Sequence, residues 1–244
     1  MKVESYYLAV YWGARKESAG ECAQRARRVL VSLVECDPIF AHWFEQGASQ
    51  NSALHNEIAL TETSLEALFL KGANRGDFSN RPIENLGFRV ALWTGGEDGG
   101  SAKLTIKCGC YARAPLVNSC VIGLPFSGAA AARLLQTERL ATIMKSSVLA
   151  WDPDWGVVMT RAYQSTLPAP ATLAPQVGWM LYLSDRRGKI PQLPEPCKVR
   201  QIDRVGSLIV TTYDRFTVNN DAHVETARHV SEALNRDGLL GPPS

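Results

Sequence analysis

The first thirty-six residues constrain the fold more than any other stretch of this chain. Tyr6-Tyr7-Leu8-Ala9-Val10-Tyr11-Trp12 is rich in aromatic and β-branched side chains, the composition of a strand that is mostly buried. Gly13-Ala14-Arg15-Lys16-Glu17 carries the chain on to Ser18. Ser18 and Glu21 have the S-x-x-E spacing of a capping box, in which each side chain satisfies a free backbone N–H of the first helical turn. Cys22, Ala26, Val29, Leu30, Leu33 and Val34 then recur at i, i+4, i+7, i+8, i+11 and i+12, one face of a helix over 18–35. Arg25, Arg27 and Arg28 fall off that stripe, toward solvent.

The remaining elements follow the same signals. Asp37-Pro38 restarts a short helix holding Phe40, Trp43 and Phe44, since proline is tolerated in a first turn. Residues 47–63 are polar and ambiguous, and 64–70 reads as a helix. Phe88, Val90 and Leu92 alternate as a strand does, and so do Leu104, Ile106 and Cys108. The glycine-rich turn 95–100 between them predicts a hairpin. Strands are expected at 117–124, 157–163 and 177–183, with a proline-rich surface connection over 168–175. Between them the spacing predicts one long helix over 128–149. Residues 199–202 and 208–213 form a second hairpin. A last helix from Asp221 turns Val224, Ala227, Val230 and Leu234 inward and stops at Gly238. Together these predict an α+β fold, mostly antiparallel sheets flanked by long helices, in a single domain over 1–244. Strand, helix and Asp-Pro-x-aromatic occur twice, at Asp37–Phe40 and Asp152–Trp155, so two similar halves, 1–114 and 115–244, are also expected.

Composition bounds the chemistry. The 244 residues are 45% hydrophobic, enough for a sizeable core. Lysine and arginine number 26 against 24 aspartates and glutamates, a net charge of +2 that leaves no overall footprint for nucleic acid. No basic start followed by an apolar run marks a secretory leader, and no run approaches the ~18 apolar residues of a membrane span. A soluble, cytoplasmic chain without membrane contact is expected. The four histidines (His42, His55, His223 and His229) supply no triad or metal pair, and no phosphate-binding or dinucleotide motif is present. Cys108-x-Cys110 with Cys120 is the nearest approach to a metal set, two thiols on one face of a strand. Zinc prefers four ligands at C-x₂₋₄-C spacing, so buried core thiols are the simpler reading. Asp152 and Asp154 flank Pro153; they could share acid–base work or simply form a helix stop and turn. No catalytic residue, metal or cofactor is assigned.

Two surfaces remain as candidate contacts. One is acidic: Glu57, Glu62 and Glu66, with Glu97 and Asp98 at the glycine-rich hairpin tip, which reads either as a flexible turn or as a contact loop. The other is the segment Tyr11, Trp12, Gly13, Arg15, Glu17 and Ser18. Arg15 there either pairs with a carboxylate or caps a helix end, or joins Trp12 as an interface anchor.

That segment, Tyr6 through Ser18 with Cys22-Ala23-x-Arg25 and Asp37-Pro38-x-Phe40-x-x-Trp43-Phe44, resembles the immunity protein 52 family. Trp151-Asp152-Pro153-Asp154-Trp155, Gly178-Trp179-Met180-x-Tyr182-Leu183-Ser184 and Gly238-Leu239-Leu240 extend the resemblance more loosely. The resemblance implies an antitoxin that stays in the producing cell's cytoplasm. It would bind a toxin passed between bacteria, often by type VI secretion, usually a restriction-endonuclease-like nuclease. It carries over no catalytic residues. A nuclease cleft is basic, so its inhibitor is expected to be acidic. At +2, this chain would rely on a local acidic patch, on shape, or on blocking toxin assembly. The competing readings are an enzyme with a cleft between the halves, using Cys108, Cys110 or Asp152, and a nucleic-acid binder using Arg25, Arg27 and Arg28.

Overall fold

The computed structural model describes residues 4–46, 54–76, 81–96, 99–112, 118–168 and 174–241. Its strands are β1 (Tyr6–Trp12), β2 (Phe44–Glu45), β3 (Phe88–Trp93), β4 (Lys103–Cys108), β5 (Asn118–Gly123), β6 (Trp155–Thr160), β7 (Met180–Ser184), β8 (Lys198–Ile202) and β9 (Gly206–Val210). All nine join one antiparallel sheet in the order β2-β3-β4-β5-β1-β6-β7-β9-β8. The aromatic first strand is thus the middle strand of the sheet. The helices are α1 (Ala19–Cys36), α2 (Glu62–Lys71), α3 (Gly128–Leu134), α4 (Thr137–Trp151), the single turn α5 (Arg161–Gln164) and α6 (Asp221–Arg236). The fold is α+β, as the alternation patterns require.

The capping box forms as its spacing predicts. Glu21 N–H donates to Ser18 Oγ at 3.2 Å and Ser18 N–H donates to Glu21 Oε2 at 2.8 Å. Helix α1 then buries Cys22, Ala26, Val29, Leu30 and Leu33, adding Ala19 and Ala23 to the predicted stripe, while Val34 lies at its solvent edge. α1 packs between α2 and α4, and this helical layer covers one face of the sheet.

Strand register sorts every side chain to one of two faces. Val90, Ile106, Cys120, Val10, Gly156 and Tyr182 form one cross-strand row, and Leu92, Leu104, Ile122, Leu8, Val158 and Met180 another. These rows face the helical layer: Met144 of α4 packs over Val10 at Gly156, and Trp12 stacks on Trp151 at 4.8 Å. The opposite face changes character along the sheet. Over β6, β7 and β9 it is apolar and buried, through Trp155, Val157, Met159, Leu181, Leu183 and Ile209, in one core with Ala227, Val230 and Leu234 of α6. Over β3, β4 and β5 it is partly open: Arg89, Lys103 and Lys107 are exposed and Ala91 and Thr105 keep some solvent contact, while Trp93 and Ser119 on the same face are buried.

Several elements differ from expectation, each for a local reason. The predicted 128–149 helix is two helices broken at Leu135. The break lets both Leu134 and Leu135 reach the core, and the Thr137 hydroxyl donates to the Tyr213 carbonyl at 2.7 Å. Phe44 leaves the short helix, which ends at Phe40, and pairs as β2 with Trp93. Tyr163 is not in strand β6, because the Thr160 hydroxyl accepts the Tyr163 N–H and starts α5. The strand expected from residue 177 begins at Met180. The hairpin β8–β9 turns through Asp203 and Arg204, both at positive φ.

Asp37 joins the helical layer to α3. Its carboxylate accepts from Arg133 Nε at 2.7 Å and Nη2 at 2.9 Å, and caps the Ile39 N–H at 3.0 Å. The Arg133 hydrogen bonds hold the carboxyl below the usual aspartate range. A pKa lowered on folding contributes stability that is fully present above the unfolded value and is lost as pH falls through the folded one. Asp37→Asn is therefore expected to destabilise the protein at neutral pH and less so in acid. Thermal unfolding of both proteins across pH checks this; a difference independent of pH contradicts it.

Candidate functional site

The loop after β1 brings the sequence motif to the C-terminal end of α4. A helix end leaves its last carbonyls without intrahelical partners and carries partial negative charge. Two arginines answer this. Arg15 Nη1 donates to the Trp151 carbonyl at 2.9 Å and Arg25 Nη1 to the Ala150 carbonyl at 2.8 Å. Glu17, 5% exposed at its side chain, sits between them, with Oε1 at 3.2 Å from Arg15 Nε and 2.6 Å from Arg25 Nε. These are close charge contacts without aligned hydrogen-bond geometry. Arg15 also lies over the Trp12 ring, 5.1 Å from its centroid. Arg15 thus both pairs with a carboxylate and caps a helix end. Arg25, expected at the surface, reaches back to the same place on its long stem.

The other side of the loop is tied as firmly. Gly13 N–H donates to Asp154 Oδ2 at 2.9 Å, and the Gly13 carbonyl accepts from Asn118 Nδ2 at 2.6 Å. Arg186 Nη1 donates to Asp152 Oδ1 at 2.8 Å, and its Nη2 lies 3.4 Å from Asp154 Oδ1. Asp152 itself holds the left-handed cap of α4, with φ 45°. Asp152 and Asp154 are therefore a helix stop and a turn clamp, both engaged with one arginine. Tyr11 stacks on Trp155 at 4.2 Å.

The thiols take no shared ligand geometry. β4 ends at Cys108, and Gly109 at φ +70° turns the chain, so Cys110 does not continue along the strand face as expected. Its N–H donates to Asn118 Oδ1 at 2.9 Å. Burial pushes the Cys120 thiol up to about 12 and that of Cys108, beside Cys22, well above its usual range. Such groups are neutral at pH 7, and the thiolate is the nucleophile and metal ligand. Among the described residues no group of three or more His, Cys, Asp or Glu side chains could hold a metal ion.

The acidic candidates separate. Glu62 and Glu66 lie one turn apart on α2, both exposed, with the Glu66 carboxylate beside Gly20 of α1. Arg27 donates to the Leu60 carbonyl at 3.1 Å, just before α2. Glu57 lies at the β2 end of the sheet, bridging Phe44, with Oε1 2.7 Å from His42 Nδ1. Glu97 and Asp98 lie outside the described residues. A groove of about 470 Å³ opens beside the capping box, between Ser18, Glu21, Ile83, Phe88 and Tyr111, with Lys16 Nζ 5.3 Å from the Tyr111 ring centroid. Sequence reasoning missed this groove because it joins residues from three distant segments.

The protein is thus an α+β fold on one antiparallel sheet, with its first loop tied to a helix end by buried Glu17 and two arginines. The chain belongs to the immunity protein 52 family, whose model matches residues 4–243. No curated protein matches its sequence. In fold it is similar to a type VI secretion system protein of Pseudomonas aeruginosa, with a TM-score of 0.53 and 8% identity over 94% of this chain and 73% of that one. Among the described residues no helix is long and apolar enough to cross a membrane.

Proposed function

We propose that this protein is an immunity protein that binds and neutralises a nuclease toxin of a type VI secretion system in the cytoplasm of the cell that makes both. The observation that carries the reading is the family match over residues 4–243. The fold likeness to a protein named for the same secretion system is consistent with it. Binding is the activity proposed, since the thiols of Cys108 and Cys120 are buried and neutral, and Asp152 and Asp154 are tied to Arg186. Glu62 and Glu66 of α2 form an acidic surface that meets a basic toxin face, and Glu57, at the β2 end of the sheet, is a separate acidic contact.

Co-expression of the chain with the toxin encoded beside it, followed by growth, tests the function. Restored growth is expected, and continued killing overturns the reading. For the contact, Glu62→Lys with Glu66→Lys is expected to weaken toxin binding by roughly tenfold through charge reversal at the interface. Unchanged affinity removes α2 from the contact.

A further inference from the structure

The open face of the sheet carries positive charge that no carboxylate among the described residues pairs with. Arg89, Lys107 and Ser119 lie in one cross-strand row, and Lys103 and Gly123 in another, all on the side away from the helical layer. No carboxylate projects from β3, β4 or β5 on this side. Several cations elsewhere are matched by a carboxylate: Arg25 with Glu17, Arg133 with Asp37, Arg186 with Asp152, Arg200 with Glu138. Among the described residues Arg89, Lys103 and Lys107 form no ion pair. Arg89 stands directly opposite Lys107 in the register, and like charges so placed destabilise a sheet. The floor between them is short and flat, made of Thr105, Ala91 and Val121, so another surface can approach the backbone closely.

We propose that this face of β3, β4 and β5 is a docking surface for an acidic protein surface, offered by the toxin that the immunity reading assigns to this chain; the inference rests on that reading. Charge complementarity selects the partner: carboxylates set over Arg89, Lys103 and Lys107 turn a repulsive pair into a shared ion-pair network. A protein fits better than a nucleic acid. The rings in these rows are engaged: Trp93 is buried and packs against Phe44, Tyr7 is buried under Arg161 at 4.2 Å, and Tyr11 stacks on Trp155, so none stands clear of the surface to stack a base. A surface of this sign does not fill a basic nuclease cleft. It meets an acidic part of the toxin, as a second contact separate from the one proposed at the carboxylates of α2 on the helical side of the sheet.

Isothermal titration of the purified chain with the purified, catalytically disabled toxin encoded beside it provides the test, using wild type, Lys107→Glu and the triple variant Arg89→Glu, Lys103→Glu, Lys107→Glu. The triple variant is expected to bind at least about tenfold more weakly, and its affinity to lose most of its dependence on salt. Lys107→Glu alone is expected to unfold at the same or a higher temperature than wild type, because it replaces a like-charged pair with an opposite one. A substitution that merely damaged the fold would lower it. Wild-type affinity in a folded triple variant overturns the docking surface and leaves the immunity reading standing. Absence of any complex with wild type overturns both. Oligonucleotide binding by wild type that the triple variant loses also overturns the proposal, since the face then serves nucleic acid.

Discussion

Replacing Trp151 with alanine is expected to destabilise the protein by about 3–5 kcal/mol, the range for deleting a large aromatic side chain from a core. Trp151 is fully buried at the last position of α4. It stacks on Trp12 at an interplanar angle of 18°, and its indole borders the Cys120 thiol. The site cannot collapse easily. Trp12 is fixed in the central strand, and the Trp151 carbonyl is held by Arg15, so the cavity opens between rigid walls. For a domain of this size each kcal/mol shifts the melting temperature by roughly 2–4 °C, so a fall of about 6–20 °C is expected. Thermal unfolding by circular dichroism reads it. A fall under a few degrees would show that Trp12 and α4 are not mutually braced. Trp151→Phe, which keeps a ring against Trp12, is expected to lie between.

Glu17→Ala is expected to cost about 1–3 kcal/mol. Removing one partner of a buried ion pair costs about 3–5 kcal/mol when both charges are buried. Arg15 and Arg25 are 26% and 30% exposed, so water screens part of the loss. What remains is real because two guanidinium groups then face each other over one helix end with no anion between them. The pairing also makes the effects of neighbours interdependent. Glu17→Ala combined with Arg15→Ala should cost less than the sum of the two alone. Urea denaturation of the two single variants and the double variant measures this. Strict additivity would mean that Glu17 and Arg15 act separately and that the motif is not one unit.

The parts of the fold visible in the sequence are those set by local rules. The capping box of Ser18 and Glu21, the stripe of α1 and the alternation of the β3–β4 hairpin all depend on neighbours a few residues away. The break at Leu135 does not. The alanine and leucine run satisfies helical periodicity throughout, and the hydroxyl contact of Thr137 comes from Tyr213, far along the chain. β2 forms because distant partners flank it: Trp93 and Leu92 of β3 on one side and Glu57 on the other. Arg25 lies off the apolar stripe of α1, which points it toward solvent, but its stem is long enough to carry the charge back to the Ala150 carbonyl.

The same division holds for the site. Arg15 was readable as an ion-pair partner or a helix cap, and the structure uses it as both. The basic face was hidden in a chain whose charges nearly cancel, because Arg89, Lys103 and Lys107 are spread over two strands. The signal was nonetheless present. These three residues take the opposite parity to Val90, Leu92, Leu104 and Ile106, so hairpin register alone places them together on the side away from the core.

The most direct measurement is gel filtration of this protein mixed with the purified toxin encoded beside it. A stable complex eluting ahead of either component, accompanied by loss of the toxin's nuclease activity, is the predicted result. Separate elution of the two proteins with toxin activity unchanged would contradict the assignment of this chain as that toxin's immunity protein.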